Sequence, residues 1–198
     1  FLRIFTISQK INTMALTQSN PFPLGAKAPD FNLPDVISGN SVSLKDIKGD
    51  KGTVIMFICN HCPYVVHVNE ALVRIADHYQ KKGIAFVGIN SNDVSRYPDD
   101  SPQKMKKIAD QESYCFPYLY DESQDVARAY DAACTPEFYV VDEESKLVYH
   151  GQMDDSRPGN SVPVDGKDLC MTLDLLMDGK SISKNQKPGI GCGIKWKI

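Results

Sequence analysis

The sequence lacks the features that mark several classes of protein. Lys and Arg number 22 against 25 Asp and Glu, so the net charge is −3, and no positive excess points to nucleic acid or to an anionic membrane surface. No stretch is apolar and long enough to cross a bilayer. Internal repeats and low-complexity segments are also missing. We therefore expect a globular protein with neither a nucleic-acid nor a membrane partner.

The chain also lacks a convincing export signal at its start. Residues 1–13 hold neither a long apolar core nor a small-residue cleavage site ahead of Met14, so a cytoplasmic location is expected. We place residues 1–20 in an N-terminal extension outside the fold, residues 21–180 in one domain, and residues 181–198 in a C-terminal tail packed on or near that domain. The six cysteines are not spaced like the disulfide framework of a secreted protein.

Cys59 and Cys62 lie where a buried strand is expected to turn into a helix. An uninterrupted apolar run over residues 53–58 precedes them, and apolar residues at helical spacing follow from Val65 to Tyr79. A helix start offers free N–H groups and partial positive charge, which favour a thiolate. We predict that Cys59 is a partly exposed attacking thiolate and that Cys62 is the resolving thiol of a redox-active disulfide. The alternative is two structural thiols or half of a zinc site, which needs two further ligands.

The predicted elements alternate between strands and helices. Such alternation implies a parallel centre, and a closing pair of strands adds an antiparallel edge, so we predict an α/β domain with three layers and a mixed sheet. Residues 90–102 are rich in Asn, Asp, Ser and Pro and are predicted to form a surface loop. In chain order the elements are a hairpin (30–34 and 41–44), a strand (53–58), a helix (63–82), a strand (84–89), a helix (103–111), a strand (118–120), a helix (124–130), two strands (138–142 and 146–150) and a helix (167–177).

Two motifs together resemble the thioredoxin-like superfamily. They are the Cys59-x-x-Cys62 pair at a helix start and Thr135-Pro136 directly before a strand; residues 25–31 also look like the opening of its redoxin branch, the AhpC/TSA-related peroxidases and disulfide reductases. The resemblance covers residues 25–177. It implies a thioredoxin-like fold with an N-terminal hairpin, a cis bond before Pro136 facing the cysteines, and a substrate shelf at Thr135 and Pro136. It implies no cofactor or metal, and protein or small-molecule thiols and disulfides as partners.

The sequence departs from that family at positions that bear on its chemistry. Ile58 stands where thioredoxin has Trp, and Thr53 stands where it has a buried Asp. Peroxiredoxins carry Thr three residues before the attacking cysteine, whereas Met56 precedes Cys59 at that spacing. We therefore predict a thiol–disulfide oxidoreductase. The alternatives are a peroxiredoxin-like thiol peroxidase with an antioxidant role, and a metal- or copper-handling protein for which His150 is the late histidine.

Three residues around the pair have two interpretations each. A cationic His61 between the cysteines would tune the site by lowering the pKa of Cys59; otherwise it is a solvent-facing residue. Cys134, beside the predicted shelf, is an accessory thiol or, as is more frequent for a lone cysteine, a small buried apolar residue. Cys192 is either a thiol that resolves a mixed disulfide or a residue packed under Trp196.

Three other residues are predicted to carry no chemistry. Glu137 is expected to point to solvent, and Cys115 and Cys170 are expected to be inert core residues. The sequence indicates neither the oligomeric state nor the direction of the reaction.

Overall fold

The computed structural model describes residues 16–198, and its centre is a five-stranded mixed sheet. The strand order is β6-β5-β4-β8-β9; β4, β5 and β6 run parallel, whereas β8 is antiparallel to both β4 and β9. The predicted thioredoxin-like α/β fold is confirmed. The strands are β1 Leu16–Gln18, β2 Asn32–Pro34, β3 Ser41–Ser43, β4 Gly52–Phe57, β5 Ile84–Asn90, β6 Tyr118–Tyr120, β7 Cys134–Thr135, β8 Glu137–Val141, β9 Leu147–Gly151 and β10 Ile190–Gly193; the helices are α1 Pro63–Gln80, α2 Pro102–Gln111, α3 Asp125–Ala129 and α4 Lys167–Met177.

The sheet is covered on both faces because β4 presents apolar side chains to each of them. Its side chains alternate, as a strand requires, so that Val54 and Met56 join one apolar cluster and Ile55 and Phe57 join the other. The first cluster contains the buried faces of α1, α2 and α4, and the second contains α3 and the β2–β3 hairpin. Each fully buried aliphatic side chain contributes roughly 1.5–3 kcal/mol. This packing holds the end of β4 and the start of α1 in a fixed position.

A second, three-stranded sheet has the order β1-β10-β7 and joins the two ends of the described chain to its middle. Residues 1–15 of the predicted extension lie outside the described residues, but Leu16–Gln18 form β1 and pair with β10, so these three residues belong to the fold. This pairing was not predicted from the sequence, because a three-residue strand in which only the central residue is half-buried carries no local pattern.

The segment over residues 90–102 is only partly the surface loop that its composition predicted, because its middle, around Ser95 and Arg96, is exposed but its two ends are buried. Asn90 to Asp93 are buried, and Asp100, at the end of the short 3₁₀-helix Pro98–Asp100, has no exposed surface. The polar side chains satisfy one another: Asn92 Nδ2 donates to Asp100 Oδ2 at 2.7 Å, and Asn90 Nδ2 donates to the Asp100 carbonyl at 3.3 Å. Among residues 16–198, no helix is both long and apolar enough to cross a bilayer.

Candidate active site

The end of β4 and the start of α1 position Cys59 and Cys62. Cys62 is the residue that precedes α1, in an extended conformation, and its carbonyl accepts the Val65 and Val66 amides at 3.0 Å. Pro63 opens the helix, where its missing N–H removes no hydrogen bond. Cys59 lies in the turn between the strand and this helix. The buried strand and the N-terminal proline therefore place both sulfurs at one end of the sheet.

The loop before β8 faces these sulfurs. The Thr135–Pro136 bond is cis. Thr135 Oγ1 lies 3.3 Å from Cys59 Sγ, and the Thr135 carbonyl oxygen lies 3.1 Å from Cys62 Sγ, where it accepts when that sulfur is protonated. The structure thus brings together Cys59, Cys62 and the predicted shelf residue Thr135.

Cys192 is the third sulfur at this point. It lies in β10, which pairs antiparallel with β7 so that Cys192 is opposite Thr135, and its Sγ is 2.7 Å from Cys62 Sγ. It is not packed under Trp196, which belongs to the opposite apolar cluster with Arg128 4.6 Å from its ring. Three thiols from two distant parts of the chain therefore meet in one buried place.

The predicted exposure and ionisation of Cys59 differ from what the structure shows. Cys59 is 2% exposed and Cys62 is fully buried, so neither is a partly exposed thiolate in this conformation. The pKa of Cys59 is raised well above its ordinary value, first by its hydrogen bond to Cys62 and then by burial and by the charge of Asp100. The pKa of Cys62 is lowered, first by its hydrogen bond with Cys192 and then by its hydrogen bond with Cys59. Of the two motif cysteines, Cys62 is therefore the one whose surroundings favour the thiolate.

His61 contacts a buried carboxylate rather than only solvent. Its Nδ1 lies 2.7 Å from Asp100 Oδ2, as an ion pair that is not well aligned for a hydrogen bond, and its ring stacks on Tyr97 at 5.7 Å between centroids. The contact with Asp100 raises the pKa of His61, despite partial burial. Sequence reasoning missed Asp100, because a lone Asp in a polar segment gives no spacing signal.

We expect the contact between His61 and Asp100 to make stability depend on pH. The pKa of His61 is higher in the folded than in the unfolded chain, so its contribution is complete below about pH 6.5 and is lost as pH rises through the raised value. His61→Asn should lower the free energy of unfolding by about 1–3 kcal/mol near pH 6, and by less at alkaline pH. Urea unfolding at several pH values measures this. His78→Asn, at an exposed position, is the control, and an equal pH-independent loss in both variants would contradict the prediction.

Glu137 holds the loop that carries Thr135. It is fully buried, not solvent-facing as predicted: Oε2 accepts the Ala133 and Cys134 amides at 2.8 and 3.0 Å. Its Oε1 accepts the Tyr139 hydroxyl and lies 2.7 Å from His150 Nε2. His150 is thus occupied by this network. The network could not be predicted from the sequence, because Glu137 reaches its partners only through the turn of the loop.

The other cysteines are separate from the three-sulfur cluster. Cys134 is fully buried, burial raises its pKa, and its Sγ is 4.0 Å from the Pro136 carbonyl, which fits the alternative of a small buried residue. Cys115 is exposed and Cys170 is half-buried, so neither is the core residue that was predicted.

Within residues 16–198, one group of side chains has ligand atoms close enough to share a metal ion. It consists of Cys59, His61 and Asp100, whose ligand atoms all lie within 4.8 Å of one another. The three atoms already have partners, since His61 contacts Asp100 directly and Cys59 contacts Thr135. A metal ion there would have to replace these contacts.

The chain is similar to known proteins along most of its length. An uncharacterized conserved protein from Geobacillus kaustophilus, with a crystal structure, is 58% identical, with a TM-score of 0.91 over 93% of this chain and 97% of that one. Thiol-disulfide oxidoreductase ResA from the same species is 25% identical over 74% of this chain and 80% of its own length. Peroxiredoxin Bcp from Escherichia coli is 29% identical over 56% of this chain and 65% of its own length. The AhpC/TSA family matches residues 24–150, more than half of the 198 residues, and the chain therefore belongs to the AhpC/TSA family.

Proposed function

We propose that the protein is a thiol–disulfide oxidoreductase whose reacting groups are Cys59 and Cys62. The observation that carries the proposal is the placement of both sulfurs at the start of α1, within 3.3 and 3.1 Å of the two oxygens of Thr135. The similarity to a relative named thiol-disulfide oxidoreductase supports it. Its substrates would be disulfides of proteins or small molecules.

Cys59 is the attacking sulfur in this proposal, because it lies in the turn before α1, whereas Cys62 is enclosed by Cys192 and the Thr135 carbonyl. Cys59 Sγ attacks one sulfur of a substrate disulfide and forms a mixed disulfide; the proton that Cys59 retains until this step leaves with the released substrate sulfur as a thiol. Cys62, whose pKa is lowered by its two thiol neighbours, then attacks Cys59 Sγ. That step breaks the mixed disulfide, releases the second substrate thiolate and leaves a Cys59–Cys62 disulfide. Two electrons pass to the substrate.

Substitution of either cysteine tests this assignment. Cys59→Ser and Cys62→Ser are each expected to lower the rate of insulin reduction, with dithiothreitol as the electron source, by at least about 100-fold. Cys115→Ser is the matched control, because Cys115 is exposed and remote from the site, and it should retain the wild-type rate. Full activity in Cys59→Ser would refute the proposal.

A thiol peroxidase is the second candidate, and membership of the AhpC/TSA family and the similarity to Peroxiredoxin Bcp favour it. A peroxidase needs one attacking thiol, so hydrogen peroxide consumption would survive Cys62→Ser and be abolished in Cys59→Ser. Met56, three residues before Cys59, is fully buried in the apolar cluster and offers no hydroxyl to a peroxide. We therefore favour disulfide exchange.

A metal-handling role is the third candidate, and the Cys59, His61 and Asp100 group favours it. Metal analysis of protein purified under reducing conditions distinguishes it. One equivalent of a metal that is lost in Asp100→Asn would support this role, and metal-free protein with full disulfide reductase activity would exclude it.

A further inference from the structure

We predicted from the sequence that a substrate strand pairs with the backbone of Thr135. In the structure, a strand of the protein itself already occupies that edge. β10 pairs with β7 in the register Cys192 opposite Thr135 and Gly193 opposite Cys134. The other edge of β10 pairs with β1, with Leu16 opposite Cys192. The C-terminal strand therefore lies between two neighbours, in the position that an added substrate strand would take.

The glycines beside Cys192 permit this close approach. A Cβ atom on Gly191 would lie 2.0 Å from the Thr135 carbonyl oxygen, and one on Gly193 would lie 2.9 Å from Thr17 Oγ1. Any side chain at Gly191 would push β10 away from the loop. The sequence around Cys192 thus matches a strand held tightly against Thr135, with its cysteine directed at Cys62.

Cys62 is placed between two thiols, each of which can form a disulfide with it. Cys192 Sγ is 2.7 Å away, and both Cys59 and Cys192 interact with the same sulfur. All three are nearly or fully buried, at 2%, 0% and 4% exposure in chain order. An exchange between the two pairings requires no large movement of the chain.

We propose that Cys192 is the third thiol of an internal relay that moves the disulfide from Cys59–Cys62 to Cys62–Cys192. The proposal rests on the proposed function, which supplies the first disulfide. Cys192 Sγ attacks Cys62 Sγ, the Cys62–Cys192 bond forms, and the Cys59–Cys62 bond breaks with its electron pair leaving on Cys59. The proton lost by Cys192 is taken up by Cys59, and one disulfide replaces another, so no net oxidation occurs. Cys59 becomes a free thiol while β10 is linked covalently over the Thr135 edge.

This linkage gives the relay a consequence for substrate binding. With Cys62–Cys192 formed, β10 cannot leave the Thr135 edge, so an incoming strand cannot pair there. Reduction of that disulfide by an external thiol removes this covalent restraint on β10. The oxidised protein is therefore closed to a second substrate until it has been reduced.

Disulfide mapping in the full-length protein tests the relay. Trypsin releases Cys59 and Cys62 in one peptide, residues 52–74, and Cys192 in another, residues 185–195, because Lys187 precedes a proline. The protein is equilibrated in glutathione buffers, its free thiols are blocked with N-ethylmaleimide in denaturant at acidic pH, and its peptides are identified by mass spectrometry. We expect the oxidised wild type to give the two peptides linked, with Cys59 carrying the label.

Three variants sharpen this experiment, and circular dichroism checks that each is folded. Cys192→Ser should give only the disulfide within residues 52–74, Cys59→Ser should still give the linked peptides, and Cys115→Ser should behave as wild type. Labelled Cys192 in fully oxidised wild type would overturn the relay. If insulin reduction still depends on Cys59 and Cys62 in that case, the proposed function stands alone; if linkage occurs without any reductase activity, the proposed function fails and the linkage remains.

Discussion

Glu137→Ala is expected to lower the free energy of unfolding by about 3–5 kcal/mol, because it removes a fully buried acceptor and leaves several buried donors without a partner. His150 and Glu137 have side-chain exposures of 5% and 0%, so water cannot replace the lost contact. The Ala133 and Cys134 amides would also lose their acceptor. Urea unfolding measures the loss.

Two further variants separate the charge of Glu137 from its geometry. Glu137→Gln keeps an acceptor for the two amides and should lose less than Glu137→Ala. Glu144→Ala is the matched surface control, because that carboxylate pairs with Lys146 in solvent and should change the free energy of unfolding by about 0.5 kcal/mol or less. Equal effects of the buried and the exposed substitution would contradict the account of this network.

Asp100→Ala is expected to have an effect of similar size, also about 3–5 kcal/mol. Asp100 Oδ1 accepts the Asn60 amide at 2.8 Å, and Oδ2 accepts Asn92 Nδ2 at 2.7 Å and contacts His61. Removal of this fully buried carboxylate leaves two donors without an acceptor and His61 without its ion-pair partner. Asp99→Ala is the control, because the neighbouring Asp99 is exposed and pairs only with Lys104 at the surface, which predicts a change of about 0.5 kcal/mol or less. A loss at Asp100 no larger than that at Asp99 would show that the site does not depend on it.

The isosteric variant Asp100→Asn tests the electrostatic part of the same argument. The charge of Asp100 raises the pKa of Cys59, so its removal should lower that pKa. The rate of alkylation of Cys59 is measured by mass spectrometry as a function of pH. The pH at which this rate rises should be lower in the variant than in wild type. An unchanged or alkaline-shifted profile would contradict this direction.

Local patterns in the sequence were enough for the main sheet and for two members of the site. The apolar run over residues 53–58 predicted a strand covered on both faces, and the helical spacing after Cys62 predicted α1, whose observed bounds are Pro63–Gln80. Cys59 and Cys62 could be named because a buried strand and a helix start leave signals in neighbouring residues, whereas Thr135 was named through the resemblance to thioredoxin-like proteins. Those signals are local because backbone periodicity and proline constraints are local.

The rest of the site depends on contacts between distant residues. β10 reaches Thr135 from more than fifty residues away in the chain, through the four-residue segment Ile190–Gly193. Asp100 becomes part of the site only because the two ends of the segment over residues 90–102 are buried and exchange hydrogen bonds with each other. Neither contact leaves a periodic pattern or a characteristic residue spacing in the sequence. The expected exposure of Cys59 was wrong for the same reason, since the covering residues are remote in sequence.

The central claim is that Cys62 takes part in a reversible disulfide at this site, and a redox titration tests it most directly. The protein is equilibrated in buffers of graded glutathione potential, and the thiol state of each cysteine is read by alkylation and mass spectrometry. We predict one reversible two-electron transition in which Cys62 passes from thiol to disulfide, bonded to Cys59 or Cys192. If all three sulfurs remained alkylatable thiols at every potential, the account would be wrong.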